Sequence, residues 1–135
     1  MTLYLHKFFL QIFWGIPLLL CLSCSPDVEK HSLEVTATAY TSHQGQTLGN
    51  PRVAAWGDTL KPGIKAIAVS RDLLDSGLNY GIKVNIEGLP GRYRVTDKMH
   101  SRWEKKIDIY MGEELDKARK WGVRKVTITW ENPTK

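Results

Sequence analysis

The chain is 135 residues long, which leaves room for one domain. It carries 19 Lys and Arg against 14 Asp and Glu, a formal charge of +5. No Lys/Arg run exceeds two residues, so the basic excess is too diffuse for a nucleic-acid footprint; an anionic membrane surface or extracellular polymer suits it better.

Segment 1–24 opens with the basic Lys7 and continues as an apolar run over 8–22, interrupted only by Gln11, Gly15 and Pro17. That run falls short of the roughly 20 residues a spanning helix needs and fits a secretory signal peptide, an uncleaved anchor being the alternative. Its end, "LLLCLSCSPD", resembles a bacterial lipoprotein box, with Cys24 after the small Ser23 and Cys21 where leucine is usual. The resemblance implies lipidation of Cys24 and, with Ser25 beside it, an outer-membrane lipoprotein facing the periplasm. Ordinary cleavage near Ser25, giving a soluble periplasmic protein, is the other route. Both cysteines lie in this leader, so the remainder has no disulfide framework and must rely on its apolar core.

Residues 25–32 read as a polar linker and 33–131 as the domain. "LEVTATAY" puts Leu33, Val35, Ala37 and Ala39 on one face and Glu34, Thr36, Thr38 and Tyr40 on the other, a half-buried strand. A long loop over 41–63 follows, rich in glycine and proline; loops of that length in a small domain are often functional, and Trp56 argues for order. A second strand is expected over 64–70, with Ser70 capping a helical turn that Gly77 ends. Further strands fall at 81–88, 92–97, 106–111 and 124–130, with "LPGR" as a tight turn between the first two. One convincing helix lies at 112–122, with Glu113 and Glu114 at its positive end, Lys117 and Lys120 at its negative end and Gly122 as its stop. The fold class is mainly β: a small six-stranded barrel filled by side chains, with one short helix and a helical turn.

In this order and spacing, "VTATAYTS", "AWGDTLKPG", "IAVSRDLL", "GIKVNIEGLPGRYRVTDKM", "KIDIYMG" and "WGVRKVTI" resemble the 3D (Asp-Asp-Asp) domain family over about 35–129. The resemblance implies a double-psi β-barrel related to the catalytic domain of membrane-bound lytic transglycosylase A and to rare lipoprotein A. It also implies peptidoglycan glycan strands as substrate and lytic transglycosylase activity. Asp97 matches the aspartate that usually reads Asp-Thr-Gly, and Asp108 the one in the Ile-Asp strand, where the catalytic acid sits. Two positions depart from the pattern. Ser70 stands where the first family aspartate is usual, with Asp72 two residues on, and Lys98-Met99-His100 replaces the Thr-Gly-Gly after the second.

A lytic transglycosylase cleaves the bond between N-acetylmuramic acid and N-acetylglucosamine and leaves a 1,6-anhydro end. One carboxyl protonates the leaving oxygen and then, as carboxylate, takes the proton from the C6 hydroxyl that closes the ring. Ordinary glycosidases need two carboxyls; here one is enough if its pKa is raised. Alternation sets Asp108 opposite the apolar Ile107 and Ile109, toward a groove or solvent. Apolar surroundings and an ionised Asp97 would raise its pKa, while Lys105 or Lys106 would lower it. The bland alternative is a solvated charge. Asp97 shares parity with Tyr93 and Val95 and so points partly inward; it either orients Asp108 or the sugar, or merely forms a turn.

Tyr40, Trp56, Trp103 and Tyr110 are candidate stacking platforms for sugar rings, the two tryptophans foremost, whereas Trp121 and Trp130 read as core. Lys98, with Arg92 and Arg94, is placed to meet substrate carboxylates, solvated positive surface being the default. His31, His43 and His100 show no ligand spacing, so no metal and no cofactor are expected. The expected partners are glycan strands and, through a lipid anchor, a membrane; the chain is expected to be a monomer. The rival to the enzyme is a non-catalytic, expansin-like peptidoglycan-binding barrel using the same groove.

Overall fold

Strict alternation along several strands, with β-branched residues on one face, favours a closed sheet whose interior is filled by side chains. The computed structural model describes residues 28–43, 50 and 52–133. In chain order the elements are β1 (Val28–Tyr40), β2 (Ala66–Val69), α1 (Arg71–Asp75), β3 (Lys83–Ile86), β4 (Arg92–Lys98), β5 (Lys106–Tyr110), α2 (Leu115–Trp121) and β6 (Arg124–Pro133). The six strands close in the order β1-β5-β2-β4-β3-β6. β1 with β5 and β2 with β4 are parallel, and the other four pairings antiparallel. This is the mainly β, six-stranded barrel expected, with two short helices.

The interior holds Val35, Ala37, Ile67, Val69, Val84, Val95, Ile107, Ile109 and Ile128, all fully buried. Leu73 of α1, Leu78 after it and Ala118 of α2 join the same cluster, so the helices are held by burial, their own length being too short for independent stability. Gly122 closes α2 with φ of +66°, a left-handed conformation that only glycine adopts at little cost.

Two boundaries differ from expectation. β1 begins at Val28, so part of the segment read as linker is strand, and β6 runs on to Pro133. Val28 through Ser32 pair with Thr129 through Pro133. An antiparallel ladder is made by backbone groups and needs no apolar alternation, which is why exposed polar residues there concealed it. The described part of the long loop is ordered, as Trp56 suggested: Val53 bridges to Thr59, and Ala54 and Leu60 pack with Ala66 and Tyr110 in a small second cluster, Tyr40 beside them. Segment 1–24, including Cys24, lies outside the described residues. Among those described, no helix is long and apolar enough to cross a membrane.

Candidate functional site

On the strand faces that point away from the isoleucines, register places four residues in one row across four neighbouring strands. Thr38 of β1 is opposite Asp108 of β5, Asp108 opposite Ala68 of β2, and Ala68 opposite Asp97 of β4. The two aspartates therefore flank Ala68 with two strand spacings between their backbones, about 10 Å.

Asp97 does not share the inward parity of Tyr93 and Val95, which corrects the expectation from alternation. The β2–β4 ladder shifts register there: Val95 is opposite Ile67 but Asp97 is opposite Ala68, leaving Thr96 as the extra residue. One inserted residue flips all that follows to the other face, so a β-bulge turns Asp97 onto the side of Asp108.

Asp108 is half-buried and makes no ion pair among the described residues. Its Oδ1 accepts a hydrogen bond of 3.0 Å from the Thr38 hydroxyl. Loss of hydration pushes its pKa above the usual carboxylate range, against the Thr38 hydrogen bond and the charge of Lys106; the negative charge of Asp97 adds a smaller push upward. Burial outweighs the lysine, whose ammonium lies 3.6 Å from the centre of the Trp103 ring.

Tyr40 ends the next position along β1 on the same face. Its hydroxyl is buried and has no hydrogen-bond partner among the described residues. Burial first, then the charges of Asp97 and Asp108, hold its phenol far above the ordinary range, so it remains a proton donor. An orphaned buried hydroxyl is costly, and a bound ligand is one way such a group is satisfied. Tyr110, opposite Tyr40 with ring centres 5.4 Å apart, is buried beneath Ala54 and Leu60 and hydrogen-bonds Ser42 through its hydroxyl. The expectation that Tyr110 offers an open stacking face is thereby corrected: the loop packs on it.

Asp97 is an anchor. Its Oδ1 accepts the backbone N–H of Ala55 at 2.9 Å and that of Lys98 at 2.8 Å, tying the Trp56 loop to β4. Trp56 is consequently held against Tyr80, ring centres 5.4 Å apart and tilted by 53°, with Lys98 over the indole at 5.6 Å and Arg94 over Tyr80 at 4.9 Å. Tyr80 was missed from sequence. The available signal was an aromatic residue in the glycine-bounded turn "GLNYG", a position that offers little core to pack against. Trp103 is exposed at the other margin, beyond Lys106.

Ser70 and Asp72 form a structural clamp. Ser70 occupies the N-cap position of α1 but does not cap it; its hydroxyl accepts the Lys106 N–H at 3.0 Å. Asp72 does not substitute at the site, because its Oδ2 accepts the Lys105 N–H at 2.9 Å. Burial disfavours the Asp72 charge, but hydrogen bonds from Ser70 and Lys105 prevail and hold its pKa below normal.

A separate cleft of about 360 Å³ lies between Lys65, Pro90, Tyr93 and Met111 and contains neither Asp97 nor Asp108. Its carboxylates are already paired, Glu113 with Arg52 at 3.1 Å and Glu114 with Lys117 at 3.0 Å, so the strand face is the better place for acid chemistry. No group of three or more His, Cys, Asp or Glu able to hold a metal occurs among the described residues.

No family model matches the sequence, and no curated protein matches it either. Among solved structures the chain is similar to the apo expansin of Clavibacter michiganensis, with a TM-score of 0.52 and 21% identity, covering 78% of this chain and 52% of that one. It is also similar, with a TM-score of 0.47 and 19% identity, to an aspartate-to-asparagine variant of a C. michiganensis expansin in complex with cellohexaose, covering 78% and 51%. The chain thus spans about half the length of these expansin structures, and what it shares with the first is the fold, a double-psi β-barrel.

Proposed function

We propose that this chain is a peptidoglycan lytic transglycosylase in which Asp108 serves as both acid and base. The observation that carries the reading is a carboxyl with raised pKa on the same strand face as a buried tyrosine hydroxyl, the first without an ion pair and the second without a hydrogen-bond partner among the described residues. The motif resemblance supplies the substrate class. Protonated Asp108 gives its proton to the glycosidic oxygen as the bond to the muramoyl C1 breaks. The C6 hydroxyl then closes on C1 and returns a proton to the Asp108 carboxylate, so the acid is regenerated and no water is consumed. Thr38 fixes the carboxyl, Tyr40 donates a hydrogen bond to the sugar, and Asp97 acts by positioning the Trp56 loop. The protein works outside the cytoplasm, in the periplasm or on the periplasmic side of the outer membrane.

Purified protein incubated with sacculi should release 1,6-anhydromuropeptides, detected by mass spectrometry, and Asp108→Asn should abolish release while sedimentation with sacculi persists. A second reading, a wall-binding module without activity, is favoured by Ser70 in place of the first family aspartate and by the backbone anchoring role of Asp97. Co-sedimentation of the wild type with no anhydro product would establish that reading instead. Products ending in reducing muramic acid would mean hydrolysis with a second working carboxyl.

A further inference from the structure

The Trp56–Tyr80 pair is an exposed aromatic surface beside the loop that Asp97 anchors, the two residues being 38% and 42% exposed. It differs from an ordinary sugar platform in its company. Lys98 and Arg94 lie against the two rings, and neither makes an ion pair among the described residues. Lys83 stands directly opposite Arg94 in the β3–β4 register, and the guanidinium of Arg92 donates to the Lys83 carbonyl at 3.3 Å. Like charges directly opposite on adjacent strands repel each other, and a bound anion relieves that repulsion. The Lys and Arg residues that do form ion pairs among the described residues, Lys30 with Glu131, Arg52 with Glu113 and Lys117 with Glu114, all lie outside this strip. Two acids approach the strip. Asp97 has its Oδ1 committed to backbone N–H groups, and Asp58 sits beside Tyr80. Four cations against two acids leave the strip positive.

We propose that Trp56, Tyr80, Arg94 and Lys98, extended by Lys83 and Arg92, form a saccharide subsite selective for sugars bearing carboxylates over neutral sugars. The aromatic rings take the apolar C–H faces of the saccharide, and the guanidinium and ammonium groups take the acid. A cation–π contact at an exposed position is weaker than a charge-assisted hydrogen bond, so an arriving carboxylate recruits these cations from the rings. In a muramic acid chain the lactyl and stem-peptide carboxylates are the acids in reach. This inference rests on the reading of the chain as one that engages wall glycan, and it holds whether or not Asp108 cleaves the strand.

The test measures affinity alone, on the full chain carrying Asp108→Asn so that no strand is consumed. Soluble peptidoglycan strands with free carboxyls should bind about tenfold more tightly than the same strands converted to methylamides. That preference should collapse near 1 M salt, where the screening length is about 3 Å. The double variant Arg94→Gln/Lys98→Gln should bind both forms alike, and Tyr80→Ala should weaken both. Equal affinity of the unmodified surface for the two forms would overturn the inference, and that comparison needs no variant at the subsite to fold. Equal competition by a single-stranded oligonucleotide of matched charge would also overturn it, in favour of an unselective polyanion surface. The preference in Asp108→Asn together with no anhydro products from the wild type would instead refute only the transglycosylase reading.

Discussion

The two faces of β5 differ in nearly every respect although they alternate along five residues. Toward the barrel axis, Ile107 and Ile109 are sealed in an apolar interior. On the other side, among the described residues, Asp108 loses hydration without gaining an ion pair, and the neighbouring Tyr40 hydroxyl is buried without a partner. The inner face supplies stability, and the outer face spends some of it. The lesson is that a small barrel can carry a destabilised polar site because the opposite side of the same strands over-determines their position.

The sharpest way to break this contrast is Asp108→Asn. Loss of an acid/base group should lower anhydro-product formation by about 10²- to 10⁴-fold, read by mass spectrometry. The same variant should be more stable than the wild type at neutral pH. A carboxyl whose folded pKa lies above its unfolded value burdens the native state when ionised and not when protonated. The stability gap should therefore be fullest above the raised pKa of Asp108 and vanish as pH falls below the unfolded carboxylate value, measured by urea unfolding across that range. A gap that widened in acid would contradict the assigned direction.

On the inner face the sign should reverse. Ile109→Ala should cost about 2–5 kcal/mol of unfolding free energy with a simple loss of cooperativity midpoint, because it opens a cavity in a closed interior. Asp97→Ala should have a smaller effect, about 0.5–1.5 kcal/mol, because it removes two exposed hydrogen bonds and leaves the Ala55 and Lys98 N–H groups to water. Amide exchange at Ala55 should accelerate, and Asp97→Asn, which keeps an acceptor oxygen, should largely restore protection. Unchanged exchange in Asp97→Ala would remove the anchoring role. The smallest effect is expected from Tyr40→Phe: neutral, or more stable by up to about 1 kcal/mol, since the hydroxyl lost has no partner. A clear loss of stability would reveal a structural hydrogen bond and weaken its assignment to the sugar.

Much of this was readable in advance, for identifiable reasons. The first strand followed from period-two alternation, and the outward aim of Asp108 from its isoleucine neighbours. The inward reading of Asp97 failed because a bulge at Thr96 leaves no local mark: one added residue changes facing without changing composition. The Val28 start of β1 was hidden because its ladder with β6 depends on a partner about a hundred residues away. Tyr80 was passed over since only the folded chain brings its turn against the Trp56 loop.

From the residue order alone came the strand pattern, the apolar side of each strand, and Asp108 as an acid facing away from the core, since all three depend on interactions between near neighbours. Tertiary structure alone decided that Asp97 shares that face, that Tyr110 is covered while Tyr80 is open, and that loss of hydration prevails over Lys106 at Asp108. Register, burial and screening are properties of segments distant in the chain and adjacent in space, and no local pattern encodes them.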